Sequence, residues 1–166
     1  MEFSVGEYVM YGTSGVCRLS GVEKRNFNGQ NEMEYLMLEP LNSSTSKYYI
    51  PSDSAESKIR KLLSKDEINS LIDEMPETEE IWVNDTSQRK AVFNSIIKSD
   101  DYKQIISMVK SLHSQKIKKV SGGKRLSSSD ENFMKRAESL MYQEFSAVLG
   151  INQEDVEKYI TDRIEN

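Results

Sequence analysis

The sequence predicts an α+β protein: a small five-stranded β-barrel over residues 1–62, followed by a compact, all-helical domain of about five helices over residues 63–166. Three observations carry this prediction. Apolar residues alternate with period two up to about Arg60, they recur at helical spacing from Ser64 onward, and the change of period coincides with the first of a series of helix-capping signals. With 37% apolar and 30% charged residues, the 166-residue chain is globular in composition and has room for two small domains.

In the first part, Tyr8-Val9-Met10-Tyr11, Val16 to Val22, Glu32 to Leu38, Lys47 to Ile50 and Lys58 to Leu62 are short β-prone runs. Met33, Tyr35 and Met37 face one side of the third run and Glu34, Leu36 and Leu38 the other, because successive strand side chains point to opposite faces. Asn28-Gly29 marks a hairpin between the second and third runs, since both residues tolerate the positive φ of a tight primed turn. A five-stranded barrel hides most of its edges by closure. A unit of this size is only marginally stable alone.

In the second part, Ser64-Lys65-Asp66-Glu67 is a capping box ahead of Ile68, Leu71 and Ile72, and Pro76 ends that helix. Asp85-Thr86-Ser87-Gln88 is a second capping signal, ahead of Val92, Phe93, Ile96 and Ile97. After Ser99-Asp100-Asp101, the stripe Tyr102, Ile105, Ile106, Val109 and Leu112 defines an apolar face from which Lys103 and Lys110 turn away. Gly122-Gly123 marks a loop. Ser128-Ser129-Asp130-Glu131 then caps a helix carrying Phe133, Ala137, Leu140 and Met141, which Gly150 ends at its C′ position, and Asn152 begins a last acidic helix.

Several function classes are disfavoured by what these elements carry. No apolar run reaches the length of a membrane span and Met1-Glu2-Phe3-Ser4 does not open a signal peptide, so a cytoplasmic location is expected. One cysteine, Cys17, and one histidine, His113, provide neither an internal disulfide nor a Cys/His zinc cluster. No nucleophile elbow, phosphate-cradling loop or metal-hydrolase motif is present, and Glu79 and Glu80 read as solvated acidic residues. We therefore expect no enzyme activity, metal, cofactor or small-molecule substrate.

The net charge of −5 is unevenly spread. Between Arg89 and Arg136 lie 12 basic residues opposed only by Asp100, Asp101, Asp130 and Glu131, a local net charge of +8. Screening limits surface charges to about 10 Å of influence at 0.1 M salt, so such a window can hold phosphates whatever the total. It is equally the charge of a solvated, lysine-rich helical surface.

The only tryptophan, Trp82, precedes this window in Glu79-Glu80-Ile81-Trp82-Val83-Asn84-Asp85. An unbroken helix from Glu79 to Lys98 would stack Trp82 near Phe93 and Ile96, in the core. If Asp85 instead caps a new helix, Trp82 lies in the connection before it and can present its indole to a partner, with Arg89 and Lys90 placed for phosphates. A flat apolar wedge beside cations suits a distorted minor groove or an unpaired duplex edge.

The order and spacing of several segments together resemble the CarD/CdnL family of transcription regulators. They are the glycine-broken run Phe3 to Leu19, Val22-Glu23-Lys24-Arg25, Glu34 to Leu38, Tyr48 to Pro51, Trp82, Ile96 to Asp100, Val109 to Leu112, and Asp130-Glu131 leading to Lys135-Arg136-Ala137. The resemblance covers nearly the whole chain, although the barrel alone is similar to a module of the transcription-repair coupling factor. It implies a Tudor-like barrel that binds the RNA polymerase β subunit and a helical domain that touches promoter DNA weakly and with little sequence preference. It further implies that a tryptophan of that domain wedges into the minor groove at the upstream fork of the melted bubble and slows its collapse.

Carried onto this sequence, the resemblance makes Trp82 the wedge, Arg89 and Lys90 the phosphate contacts, and Lys118, Lys119, Lys124 and Arg125 a looser basic fringe. It makes Arg25, Tyr49 and Lys47 the polymerase-binding residues. Ser14 replaces a histidine common in the family, which exchanges one turn residue for another. Tyr49 stands where arginine is common, with Lys47 nearby to supply the charge. Val83, Asn84 and Asp85 intervene before the cations that in several members follow the tryptophan at once. The alternative is a protein–protein adaptor with a buried Trp82 and a helical domain that binds no DNA.

Overall fold

The computed structural model describes residues 3–27, 29, 31–43 and 45–166, and the chain divides into two compact units, Met1–Leu62 and Leu63–Asn166. In the first unit, β1 (Tyr8–Tyr11), β2 (Val16–Arg25), β3 (Met33–Pro40), β4 (Tyr48–Pro51) and β5 (Ile59–Lys61) form one antiparallel sheet in the order β4-β3-β2-β1-β5. The expected closed barrel is corrected here: β4 and β5 are the two edges and do not pair with each other. A 3-10 turn over Ser52–Ser57 connects them and adds Ala55 to the core.

The pairing Gly21↔Met37, Glu23↔Tyr35 and Arg25↔Met33 puts these residues on one face of the sheet. Leu36 and Leu38 fall on the opposite face, where they join Val9, Leu19, Ile50 and Ile59 in the core. The register slips by one residue between Leu19 and Gly21, a bulge that increases the local twist. Asn28 of the expected Asn28-Gly29 turn lies outside the described residues, while Gly29 has φ +76°, as a primed turn requires.

The Cys17 thiol is sealed within this core and burial pushes its pKa up to about 11. It should therefore react with a thiol reagent at pH 8 orders of magnitude more slowly in the native protein than in denaturant. Equal rates in the two conditions would show that the sheet does not close over it.

The second unit contains α1 (Lys65–Glu74), α2 (Thr86–Lys98), α3 (Tyr102–Ser121), α4 (Ser128–Leu149) and α5 (Val156–Glu165). Ser64 and Glu67 form the reciprocal capping box read from the sequence. Asp85 caps α2 by accepting from the Gln88 amide at 2.9 Å. Two boundaries differ from expectation. Ser127 rather than Ser128 caps α4, and a 3-10 turn at Gln153–Asp155 precedes α5, so that helix starts at Val156. Gly150 ends α4 at φ +70°, ψ +33°, which an L side chain rarely adopts. No described helix is long and apolar enough to cross a membrane.

Polar residues also bind this unit together. Glu144 is fully buried, accepting the Leu63 amide at 2.7 Å and the Tyr102 hydroxyl at 2.6 Å. His113 lies 3.4 Å from the Glu138 carboxylate, and that hydrogen bond holds its pKa above the ordinary histidine value. Glu157 acts in the same sense, whereas burial and Lys116 oppose it. Because the folded pKa is the raised one, the pair's contribution is complete below about pH 6.5 and fades as pH rises through the folded value. Its half-exposed setting keeps the contribution under about 1 kcal/mol. Denaturation between pH 6 and 8 should show this loss in the wild type and not in His113→Gln; equal pH profiles would exclude the pair as its source.

Candidate functional site

Residues 78–85 link the first two helices of the second unit without forming a helix themselves, which removes the continuous helix from Glu79 to Lys98 as an account of Trp82. The connection is fastened at three places. Lys110, expected to point into solvent, instead donates from Nζ to the carbonyls of Met75, Pro76 and Thr78 at 3.2, 3.0 and 2.8 Å. Ser111 accepts the Ile81 amide at 2.6 Å. Arg89 donates from Nη1 to the carbonyls of Val83 at 2.8 Å and Asn84 at 3.3 Å. A segment with no hydrogen-bond ladder of its own is thus held on either side of Trp82 by side chains from α2 and α3.

Trp82 is partly buried, neither sealed in the core nor fully projecting. Its indole meets the edge of Phe93 at 6.2 Å between centroids, and Phe93 in turn meets Phe133 at 5.6 Å. The Arg89 guanidinium lies over the indole, 4.4 Å from the ring centroid, within cation–π range. Against the expectation of a phosphate-contacting surface residue, Arg89 is only 6% exposed. Its Nε and Nη2 donate to the two oxygens of Asp130 at 2.9 and 3.0 Å, a bidentate pair whose aspartate side chain is 1% exposed. That site is therefore occupied by an internal carboxylate.

The other expected cations are on the surface. Lys90 is exposed on the first turns of α2; Lys118 is exposed and Lys119 half-buried in the last turn of α3; Lys124 and Arg125 are exposed in the loop before α4. None of the five forms an ion pair among the described residues. The Arg89–Asp130 pair ties the start of α2 to the start of α4. Lys90 adjoins one partner, and Arg125 lies five residues before the other, at most about 18 Å along the chain. One end of the helical unit therefore carries the indole and several unpaired cations.

In the sheet unit, Arg25 is exposed, pairs with Glu23 at 2.7 Å, and lies 5.6 Å from the Tyr49 ring centroid. Phe27, not singled out in the sequence, packs edge-on against both Tyr35 at 5.0 Å and Tyr49 at 5.2 Å while remaining 58% exposed. Tyr49 belongs to the edge strand β4, and exposed Lys47 immediately precedes it. An edge strand with unpaired backbone groups beside an aromatic and cationic cluster can receive a strand from a partner.

No group of three or more histidine, cysteine, aspartate or glutamate residues with metal-binding geometry occurs among the described residues. Two family models match the chain: the CarD-like/TRCF RID domain over residues 3–63, and the CarD C-terminal domain over residues 68–161. No curated protein matches it significantly in sequence.

Proposed function

Because the chain belongs to the CarD-like family of transcription-associated, RNA polymerase-interacting proteins, we propose that it binds the polymerase β subunit through its sheet unit and stabilises the open promoter complex through its helical unit. In this reading Trp82 is the wedge at the upstream fork of the bubble. Lys90 contacts phosphate beside it, and Lys118, Lys119, Lys124 and Arg125 form the wider basic fringe. The observation that carries the reading is a partly exposed indole, on a connection fastened at both sides, at the end of a helical bundle with unpaired cations.

Weak DNA affinity suffices for this role. A contact available only when the duplex has opened shifts the melting equilibrium by its difference in affinity between the two states. Docking on the polymerase supplies the local concentration. Cations without base-edge hydrogen bonding give little sequence preference. Arg89 is left out of the phosphate-binding set because its donors are turned inward.

Polymerase docking is assigned to β4, with Arg25, Lys47 and Tyr49 beside the backbone edge. Arg25→Glu should weaken binding to the isolated polymerase about tenfold or more, as loss of an interfacial arginine anchor commonly does. Its circular dichroism should not change, since Arg25 is a surface residue. Unchanged polymerase affinity would move the docking site elsewhere.

A further inference from the structure

The Arg89–Asp130 pair has more structure than a stabilising ion pair needs. Buried ion pairs can often be replaced by apolar residues of similar shape with little loss of stability, because desolvation offsets much of the attraction. Here the guanidinium makes four hydrogen bonds, and only two go to Asp130. The other two reach the carbonyls of the residues that directly follow Trp82, and the flat face of the same group lies under the indole. An apolar pair could fill the space but could do neither of these things. Asp130 comes from α4, 41 residues away in sequence, and its bidentate grip fixes the plane of the guanidinium.

We propose that Asp130 is a positioning residue for Trp82: through Arg89 it sets the orientation of the indole and of the 82–84 backbone, so that the ring is already in place before it meets DNA. The consequence for transcription rests on the wedge reading above; the positioning itself does not. An indole ordered in advance loses less conformational freedom on insertion, and that saving appears directly as a longer-lived complex.

The test uses the full chain, whose one tryptophan reports its own surroundings. The double variant Arg89→Met, Asp130→Leu fills most of the same space with apolar side chains and leaves no buried charge. Arg89→Lys keeps the charge for Asp130 but lacks the planar fork. Both should retain wild-type far-ultraviolet circular dichroism. In both, fluorescence anisotropy should fall and the acrylamide quenching constant should rise about twofold or more, because neither variant has the planar fork that grips Asp130 and the Val83 and Asn84 carbonyls at once. Polymerase affinity should be unchanged, and the open-complex lifetime should drop to the level of Trp82→Ala.

Arg89→Lys keeps the test decisive if the double variant does not fold. Wild-type quenching and anisotropy in a folded variant would overturn the proposal. So would a loosened indole with a wild-type lifetime, if Trp82→Ala itself shortens that lifetime. If Trp82→Ala has no effect on lifetime, the wedge reading fails, and the fluorescence measurements alone still decide whether the Arg89–Asp130 pair positions the ring.

Discussion

Trp82→Ala should shorten the lifetime of open complexes by about 5- to 150-fold on a promoter whose bubble collapses readily, matching the 1–3 kcal/mol that stacking an aromatic side chain on a base contributes. The lower bound applies if the flanking cations hold the fork alone, and the upper bound if the indole is the principal contact. Polymerase affinity should be unchanged, since residue 82 lies outside the sheet unit. The helical unit should fold with a modest loss of stability, because the ring is only partly buried and touches the core through the edge of Phe93. Trp82→Phe should recover part of the lifetime, as a smaller flat ring stacks less well. Competitor-challenged decay of preformed complexes measures the lifetimes with wild type, Trp82→Ala and Trp82→Phe.

Asp130→Ala should strongly destabilise the helical unit. It leaves the Arg89 guanidinium buried without its carboxylate, and breaking a buried pair in this way costs about 3–5 kcal/mol. For a unit of this size that lowers the Tm by more than about 10 °C, a large fraction of the stability expected for a small domain. Asp73→Ala is the control. Asp73 also receives a bidentate arginine, Arg163, at 2.8 and 2.9 Å, yet both side chains reach solvent. Solvent screening weakens an exposed pair even of bidentate geometry, so its Tm should fall far less than that of Asp130→Ala. Similar melting for the two variants would mean that burial does not govern the strength of the Arg89–Asp130 pair.

The features that could be read from the sequence are those set within a few residues. The Ser64 capping box, the Asp85 cap and the left-handed Gly150 each depend on one turn of chain, and all appear where the residues put them. The alternation of Met33, Tyr35 and Met37 against Leu36 and Leu38 fixes which face of β3 is buried, because slipping by one residue would invert every side chain. Barrel closure was not legible, since it depends on whether β4 and β5 meet, a long-range matter to which short runs are blind.

The site divides in the same way. Of the two readings open for Trp82, the fold takes the one in which Asp85 starts a new helix and leaves Trp82 in the connection. Arg89 looked like a surface cation because counting charge treats every arginine as solvated, and only the packing of α2 against α4 brings Asp130 to it. In the sequence Asp130 was one acidic residue of a helix start, with nothing to mark its partner. Lys110 misled for the same reason: its place in the helical pattern reads as solvent-facing, but its long stem curls back to three carbonyls just beyond α1.

In the proposed open complex the indole of residue 82 meets DNA at the upstream edge of the melted region. A photo-crosslinking side chain substituted at position 82 of the full-length protein, activated in a polymerase–promoter open complex, tests this directly. The expected result is a crosslink confined to the few nucleotides at the upstream fork, absent from closed complexes and from complexes in which Arg25→Glu prevents docking. Crosslinks only to protein, or DNA crosslinks equally strong before and after melting, would contradict it.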